Sequence, residues 1–231
     1  AWRRARGRHL SVGQSTIPVA WLAVEADVSG LVELRRRARD AFEEAHGVRL
    51  TFMPFLVRAI ALTLREHPAL NASYSEDGVL RHERFDMGIA VATDSGLLVP
   101  VLRAADTKSL AQLAGELQDL GERARARTLT RDELIDATLT IDNTGAFGSL
   151  ISQPIVPVGQ VAIVTTEAIR RELRIVSGVD GGDAFAPRSV MNLAISFDHR
   201  ALDGAEAGAF MAALKARLEA IGPDDPLDAG A

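Results

Sequence analysis

The segment that most limits the possible folds is SVMNLAISFDH (189–199), which leads through a short turn into GAEAGAFMAALKARLEAI (204–221). The first is rich in β-forming residues and typical of a buried strand, whereas the second has the pattern of a closing helix. Side chains on a strand alternate between its two faces. One face of this strand is therefore apolar except at its end, and it carries Met191, Leu193, Ile195, Phe197 and His199.

The remaining elements mix helices with runs of consecutive strands. Strands are predicted at 16–30, 137–148 and 159–173, with three short strands in 72–103 joined at Asp77-Gly78 and Asp94-Ser95-Gly96. Helices are predicted at 31–47, ended by Gly47, at 51–68, capped by Thr51 with Pro54 in its first turn, and from about Ser109 to Arg127. This order favours an α+β fold over strict βαβ winding.

Composition excludes several classes of protein. The 231 residues carry a net charge of −5, which argues against a nucleic-acid-binding domain. No apolar run approaches the roughly 18 residues of a membrane helix, so we expect no membrane partner. The absence of cysteine excludes a disulfide framework and thiolate metal sites and fits a reducing cytoplasm, and we expect no metal site. We expect one domain at 11–231 after a basic arm at 1–10, cut from a longer protein.

His199 has two interpretations on residue pattern alone. A lone histidine on an apolar strand face is most often a buried structural residue whose ring nitrogens bond to the backbone. A histidine at a strand end, followed by a turn and a helix start, can instead act as a general base at neutral pH. Asp203 has its own structural explanation, because Asp203-Gly-Ala-Glu206 matches the capping-box pattern at a helix start.

The motif DHRALDG (198–204) resembles the His-x-x-x-Asp-Gly motif of the chloramphenicol acetyltransferase-like acyltransferases. Asp198 in front of the histidine is typical of one branch, the dihydrolipoyl acyltransferases of 2-oxo acid dehydrogenase complexes. Three further segments look like that family in order and spacing, and the resemblance spans about 11–220. They are STIPVAWLAVEADVSGLVELR, MGIAVATDSGLLVPVLRAADTKSLAQLA and TLTIDNTGAFGSLISQPIVPVGQVAIV.

The resemblance implies a reaction and an architecture. Members transfer an acyl group from a dihydrolipoyl thioester, carried on a lipoyl domain, to coenzyme A, which is a substrate and not a tightly held cofactor. His199 would be the base, and Asp203, the second candidate catalytic residue, would order the loop behind it. Its capping role leaves open whether Asp203 acts catalytically or only structurally. The implied fold is a two-layer sandwich of a mixed sheet and helices that forms homotrimers, with the histidine and an oxyanion donor on adjacent chains. Implied partners are the lipoyl domain and the decarboxylase and dihydrolipoyl dehydrogenase components.

The chain departs from the family at the oxyanion donor. The usual pattern is Thr-Ile-(Ser/Thr)-Asn-x-Gly, and this chain places Asp142 at the hydroxyl position and Asn143 after it. An ionised carboxylate there would repel the oxyanion. Three interpretations follow: Asp142 stays protonated and donates, Asn143 or Thr144 supplies the donor, or transfer is slow and the domain serves chiefly as a scaffold.

Two alternative functions and one structural question stay open at this point. The first alternative is a catalytically weak core that organises partner enzymes, and the second is a free-standing coenzyme A-dependent acyltransferase. The antibiotic acetyltransferases usually carry a second histidine directly before the catalytic one. This chain has Asp198 there, which argues against the latter. The acidic tail GPDDPLDAGA differs from the apolar tails of cage-forming members, so the resemblance implies a trimer and leaves a larger cage open. The acyl group, whether acetyl, succinyl or branched-chain, is not readable from the sequence.

Overall fold

The computed structural model describes residues 14–94, 96–178 and 181–227, so the basic arm predicted at 1–10 lies outside the described residues. Its strands are β1 (Val19–Asp27), β2 (Ala72–Ser75), β3 (Gly78–Arg81), β4 (Met87–Ile89), β5 (Val91–Thr93), β6 (Gly96–Leu98), β7 (Val101–Leu102), β8 (Leu139–Asn143), β9 (Ala162–Thr166), β10 (Arg170–Ser177) and β11 (Asp183–Asp198). Its α-helices are α1 (Ser29–His46), α2 (Met53–Glu66), α3 (Leu110–Ala126) and α4 (Gly204–Glu219).

One mixed sheet organises the molecule. Its strand order is β1-β11-β9-β8-β4-β7, and β10 pairs with β11 as a hairpin beyond this path. The pairs β4–β8 and β8–β9 are parallel, and the other pairs of this sheet are antiparallel. A largely antiparallel sheet with helices between its strands confirms the predicted α+β class.

The two faces of the sheet differ in what covers them. The predicted apolar face of β11 lies in the main core with the buried side of the helices, among them Ile60 and Leu64 of α2 and Phe210 of α4. The opposite face carries a small cluster built from Ile17, Val156 and Ile163. The helices therefore form one layer against one face of the sheet, as in the predicted two-layer sandwich. Within the described residues, no helix is long and apolar enough to cross a membrane.

Local signals predicted several element ends and failed at others. Gly47 ends α1 in the left-handed conformation, and Ser109 caps α3 with a capping box. The prediction that Thr51 caps the second helix is wrong, because Phe52 is the first flanking residue and no side chain caps it. Pro54 lies at the first helical positions, where it has no N–H that a cap would need to satisfy.

The strands differ from the predicted ones in two places. The segment 72–103 forms six short strands rather than three, because the chain passes between the main sheet and two separate hairpins. The single strand predicted at 159–173 is wrong, since β9 ends at Thr166 and β10 starts at Arg170. The buried residue Glu167 stands at this break and bonds side chains outside the sheet. The β10–β11 hairpin was missed, although alternating β-forming residues flank its glycine-containing turn.

We predict opposite effects of alanine at two helical glycines. A Cβ atom on Gly30 would lie 2.0 Å from the carbonyl oxygen of Ile221, so Gly30→Ala must push the start of α1 from the end of α4. Overpacking of this kind costs about 1–3 kcal/mol. A Cβ atom on Gly208 would meet nothing within 4 Å, so Gly208→Ala should stabilise the protein by about 0.5–1 kcal/mol through helix propensity.

Urea unfolding of the two variants and the parent measures both effects. A Gly30→Ala variant as stable as the Gly208→Ala variant would contradict the close packing of these two helices.

Candidate active site

His199 lies immediately after the last residue of β11, in the turn that leads to α4. Its backbone N–H donates to the carbonyl of Pro18 at 3.0 Å, and the N–H of Asp198 donates to the carbonyl of Val161 at 2.8 Å. The backbone at this position is thus tied to both neighbouring strands. The side chain itself is exposed, and within the described part of the chain nothing hydrogen-bonds to its imidazole. This placement contradicts the interpretation of His199 as a buried core histidine.

An ion pair between the buried Asp198 and the exposed Arg200 holds the turn that carries His199. Asp198 is 1 % exposed, and Arg200 donates to its carboxylate through Nε at 2.9 Å and Nη2 at 2.6 Å. The backbone N–H of Arg200 also donates to Asp198 at 3.0 Å, and its guanidinium stacks 4.2 Å from the ring centre of Tyr74. A buried carboxylate is stable only when it is paired and hydrogen-bonded. Sequence reasoning missed this role, although Asp198 and Arg200 flank the histidine directly.

Asp203 forms the predicted capping box. Its Oδ1 accepts hydrogen bonds from the N–H groups of Ala205 at 2.9 Å and Glu206 at 2.8 Å, and Glu206 Oε2 accepts from the N–H of Asp203 at 3.1 Å. These bonds fix the first turn of α4 directly behind the loop of His199. The contacts in the structure therefore assign Asp203 a structural role at the end of this loop.

Asp142 and Asn143 end β8 and precede a 3₁₀ turn at Thr144–Phe147. Both side chains are half-buried and line a cavity of about 380 Å³ between α3, the start of α2 and β5. The charged residues around this cavity, besides Asp142, are Arg49, Glu122 and Arg125. His199 does not line it. The donor candidates thus face a cavity large enough to admit part of a substrate, on a different side of the protomer from the imidazole.

The surroundings of Asp142 favour its protonated form. Burial raises the pKa of the Asp142 carboxyl, and the nearby negative charge of Glu167 raises it further. A group with a raised pKa keeps its proton to a higher pH, and a protonated carboxyl has one O–H that can donate a hydrogen bond. The environment is therefore compatible with the first of the three interpretations of Asp142.

Glu167 binds the segment that follows Asp142 and Asn143. This carboxylate is 2 % exposed and accepts hydrogen bonds from Thr144 Oγ1 at 2.7 Å, from Ser152 Oγ at 2.5 Å and from the hydroxyl of Ser149. A threonine hydroxyl has a single proton. Because Thr144 directs that proton to Glu167, its hydroxyl is not available as an oxyanion donor, which leaves Asp142 and Asn143 as side-chain donors. Sequence reasoning missed Glu167 altogether.

The strand register separates the imidazole from the donor candidates. Asp142 pairs with Thr165, and Thr165 pairs with Ala194, so Asp142 is level with a residue five positions before His199. At about 3.3 Å per residue and about 4.8 Å per strand spacing, the two lie about 16 Å apart along the strands and about 10 Å apart across them. A base and an oxyanion donor must both lie about 3 Å from the reacting atoms. One protomer therefore does not bring them together.

Comparison with other proteins identifies relatives over most of the chain. A protein known as the dihydrolipoyllysine-residue acetyltransferase component of the pyruvate dehydrogenase complex of Mycobacterium bovis is 43% identical over 84% of this chain and 36% of its own length. A succinyltransferase component of the 2-oxoglutarate dehydrogenase complex of Bartonella vinsonii is 39% identical over 94% of this chain and 52% of its own length. The chain spans about a third to a half of the curated relatives it matches.

Solved structures agree with these relatives. A probable dihydrolipoamide acetyltransferase from Listeria monocytogenes superposes with a TM-score of 0.93 at 37% identity, covering 98% of this chain and 94% of that one. The dihydrolipoamide acetyltransferase of Azotobacter vinelandii superposes at 0.87 and 35% identity over 95% of this chain and 88% of that one. That structure was determined to study one serine, one histidine and the asparagine four residues after it in catalysis.

More distant similarity concerns the fold alone. A chloramphenicol acetyltransferase superposes with a TM-score of 0.56 at 16% identity over 92% of this chain and 94% of that one. This confirms the predicted chloramphenicol acetyltransferase-like fold. The family model of the 2-oxoacid dehydrogenases acyltransferase (catalytic domain) matches residues 1–224. This chain, with its exposed histidine directly after β11, therefore belongs to the family of 2-oxoacid dehydrogenase acyltransferase catalytic domains.

Proposed function

We propose that residues 11–231 form the acyltransferase core of a 2-oxo acid dehydrogenase complex. The core transfers an acyl group from the S-acyl-dihydrolipoyl arm of a lipoyl domain to coenzyme A. The observation that carries this proposal is His199: an exposed imidazole on a turn fixed by the ion pair of the buried Asp198 with Arg200, in a member of this acyltransferase family. An imidazole held in this way meets the requirement of a general base, since its position is fixed and its ring is accessible.

The reaction follows from the chemistry of the two thiols. A free thiol is mostly protonated near pH 7, and the thiolate is the nucleophile. His199 takes the proton of the coenzyme A thiol, and the thiolate attacks the carbonyl carbon of the acyl-dihydrolipoyl thioester. The resulting tetrahedral oxyanion accepts hydrogen bonds from a donor that is in place beforehand. When the intermediate collapses, the dihydrolipoyl sulfur leaves, takes the proton from His199 and releases acyl-coenzyme A.

A shared site explains why the catalytic groups lie apart in one protomer. We place the imidazole of one protomer opposite Asp142 and Asn143 of the next, in a homotrimer. Exposed apolar side chains support association: Trp21 lies on the sheet face away from the helices, and the β10–β11 hairpin carries Leu173, Ile175 and Phe185, of which Phe185 is 72 % exposed. Large exposed apolar side chains commonly mark interaction surfaces.

The oxyanion donor is either the proton of Asp142 or the amide of Asn143. We favour protonated Asp142, because it stands at the position of the family hydroxyl. Asp203 stands four residues after His199, where the Azotobacter protein has the asparagine noted above. We propose that Asp203 acts by ordering the loop of His199 through its cap, without touching the substrate.

The same site also defines a second candidate function. If Asp142 is ionised in the assembled protein, transfer is slow and the domain serves as a structural core for its partner enzymes. In either case the expected partners are a lipoyl domain, a decarboxylase and a dihydrolipoyl dehydrogenase, and the expected compartment is the cytoplasm. The relatives act on acetyl and succinyl groups alike, so we leave the acyl group unassigned.

The first prediction concerns the base. His199→Ala should reduce the formation of acyl-coenzyme A from acyl-dihydrolipoamide by at least about 10²-fold, because a positioned general base contributes about 10²–10⁴-fold. The matched control is His46→Ala, which removes an exposed histidine at the end of α1 and should keep the parent rate. Chromatography of the coenzyme A products measures both. Parent-like turnover by a folded His199→Ala oligomer would contradict the proposed function.

The second prediction concerns Asp142. Because burial and Glu167 raise its pKa, the protonated donor exists below that pKa, and activity should fall as the pH rises through it. Asp142→Ser restores the family hydroxyl and should remove this alkaline limb. Asp142→Ala should lose on the order of 10²-fold in rate, the usual loss for one oxyanion donor.

Rate measurements across the pH range distinguish the candidate donors. If the Ala and Ser variants both match the parent at every pH, Asp142 is a bystander and Asn143→Ala becomes the variant expected to lose activity.

A further inference from the structure

We propose that Glu167 is a positioning residue of the transfer site: its carboxylate fixes the segment 144–152 through three hydroxyls, and its buried negative charge adds to burial in favouring a proton on Asp142. This inference rests on the proposed function, in which that proton binds the oxyanion. It adds a residue that lies outside the reacting groups, one residue beyond β9. The argument depends on three features, namely the contacts of Glu167, its charge and its position relative to Asp142.

The contacts of Glu167 fix the segment that follows the donor candidates. Three hydroxyls from this segment converge on the carboxylate, those of Thr144, Ser149 and Ser152. The backbone of the same segment is also bonded to Ala168, the residue after Glu167, because the N–H of Ala168 donates to the carbonyl of Ser149 at 3.0 Å. The loop is therefore held to the end of β9 from several points along its length.

Gly145 allows the backbone of segment 144–152 to lie against the backbone of Glu167 and Ala168. A Cβ atom at this position would lie 2.4 Å from the carbonyl carbon and oxygen of Glu167 and 2.6 Å from the nitrogen of Ala168. Only glycine allows the backbone of the loop to approach Glu167 so closely. The segment is therefore fixed relative to β9. Asp142 and Asn143, which directly precede it, are held in register opposite Thr165 and Thr166 of β9.

Glu167 remains charged in this environment. Burial raises the pKa of its carboxyl, but the hydrogen bonds from Ser149, Ser152 and Thr144 outweigh burial and leave the pKa below the ordinary glutamate value. Each hydroxyl supplies its proton to the carboxylate, so the ionised form is the one that satisfies all three. A buried charge with these partners acts through a medium that screens it far less than water does.

Burial raises the pKa of the Asp142 carboxyl most, and the charge of Glu167 raises this pKa further. The other charged residues that line the same cavity are Arg49 before α2 and Glu122 and Arg125 on α3. All three are exposed side chains, and solvent and salt screen exposed charges strongly. Glu122 is also negative, so it offsets part of the effect of the two arginines on the pKa of Asp142. Glu167 is the buried one, and like charges nearby disfavour ionisation.

The consequence for catalysis is a division of roles between two carboxyls. Glu167 stays ionised and accepts hydrogen bonds, whereas Asp142 stays protonated and donates one. Two carboxyls whose surroundings push their pKa values apart take different roles in acid–base catalysis. Without the charge of Glu167, Asp142 would ionise at a lower pH and repel the oxyanion that it otherwise binds.

The test replaces the charge while keeping the shape. In Glu167→Gln, the titration midpoint of Asp142 should move to lower pH, followed by NMR of aspartate labelled with ¹³C at the carboxyl and assigned with Asp142→Asn. The alkaline limb of the pH–rate profile should move in the same direction. At a pH between the old and new midpoints, the rate should fall towards that of Asp142→Ala, a loss on the order of 10²-fold.

Two control variants separate charge from attachment. Ser149→Ala removes one hydroxyl and leaves the charge, so the loop should loosen while the Asp142 midpoint stays at the parent value. Glu44→Gln removes an exposed carboxylate on α1 and should change neither property. A purely structural role of Glu167 predicts instead that Glu167→Gln and Ser149→Ala have the same effect.

Three results would overturn the inference. The first is a folded Glu167→Gln protein with an unchanged Asp142 midpoint. The second is a Ser149→Ala protein in which that midpoint moves as far as in Glu167→Gln. The third is a parent in which Asp142 titrates at or below its ordinary value, and this measurement decides the matter if Glu167→Gln does not fold. The titration needs no turnover, so a parent without acyl transfer would refute the proposed function and leave this test intact.

Discussion

The register of β8, β9 and β11 is the constraint on which the rest of the account depends. Because Asp142 is level with Ala194, the backbone of His199 lies about 19 Å from that of Asp142 by strand geometry. No change of side-chain rotamer closes a gap of that size. A chain of this fold can join the two groups only across an interface with another copy. The proposed shared site gives the exposed Trp21 and the apolar hairpin a role as interface residues.

Each half of the site is held by a buried carboxylate. Asp198 pairs with Arg200 beneath the histidine turn, and Glu167 accepts three hydroxyls beneath the donor segment. A buried charge destabilises a protein by several kcal/mol unless its hydrogen-bonding capacity is filled, so such a group permits few alternative backbone positions. In both halves the partners of the charge lie within about ten residues of a candidate catalytic group. Stability and the geometry of the site therefore depend on the same contacts.

Features with local causes were predictable from the sequence, whereas those with distant causes were not. The capping box of Asp203, the Gly47 helix end and the apolar face of β11 follow from residues next to one another in the chain. Glu167 gave no such signal, because its hydroxyl partners lie 15 to 23 residues away and meet it only when β8 and β9 pair. For the same reason, the sequence suggested Thr144 as a donor, although folding directs its proton elsewhere.

The most direct test of the shared site is complementation between two defective chains. His199→Ala and Asp142→Ala are produced together with different affinity tags, and hybrid oligomers carrying both tags are isolated. If each site combines the histidine of one chain with the aspartate of the next, every homotrimer that contains both variants has one intact site of its three, which is about one third of the sites. The account predicts activity near that fraction of the parent rate. Hybrids no more active than the average of the two variants alone would contradict it.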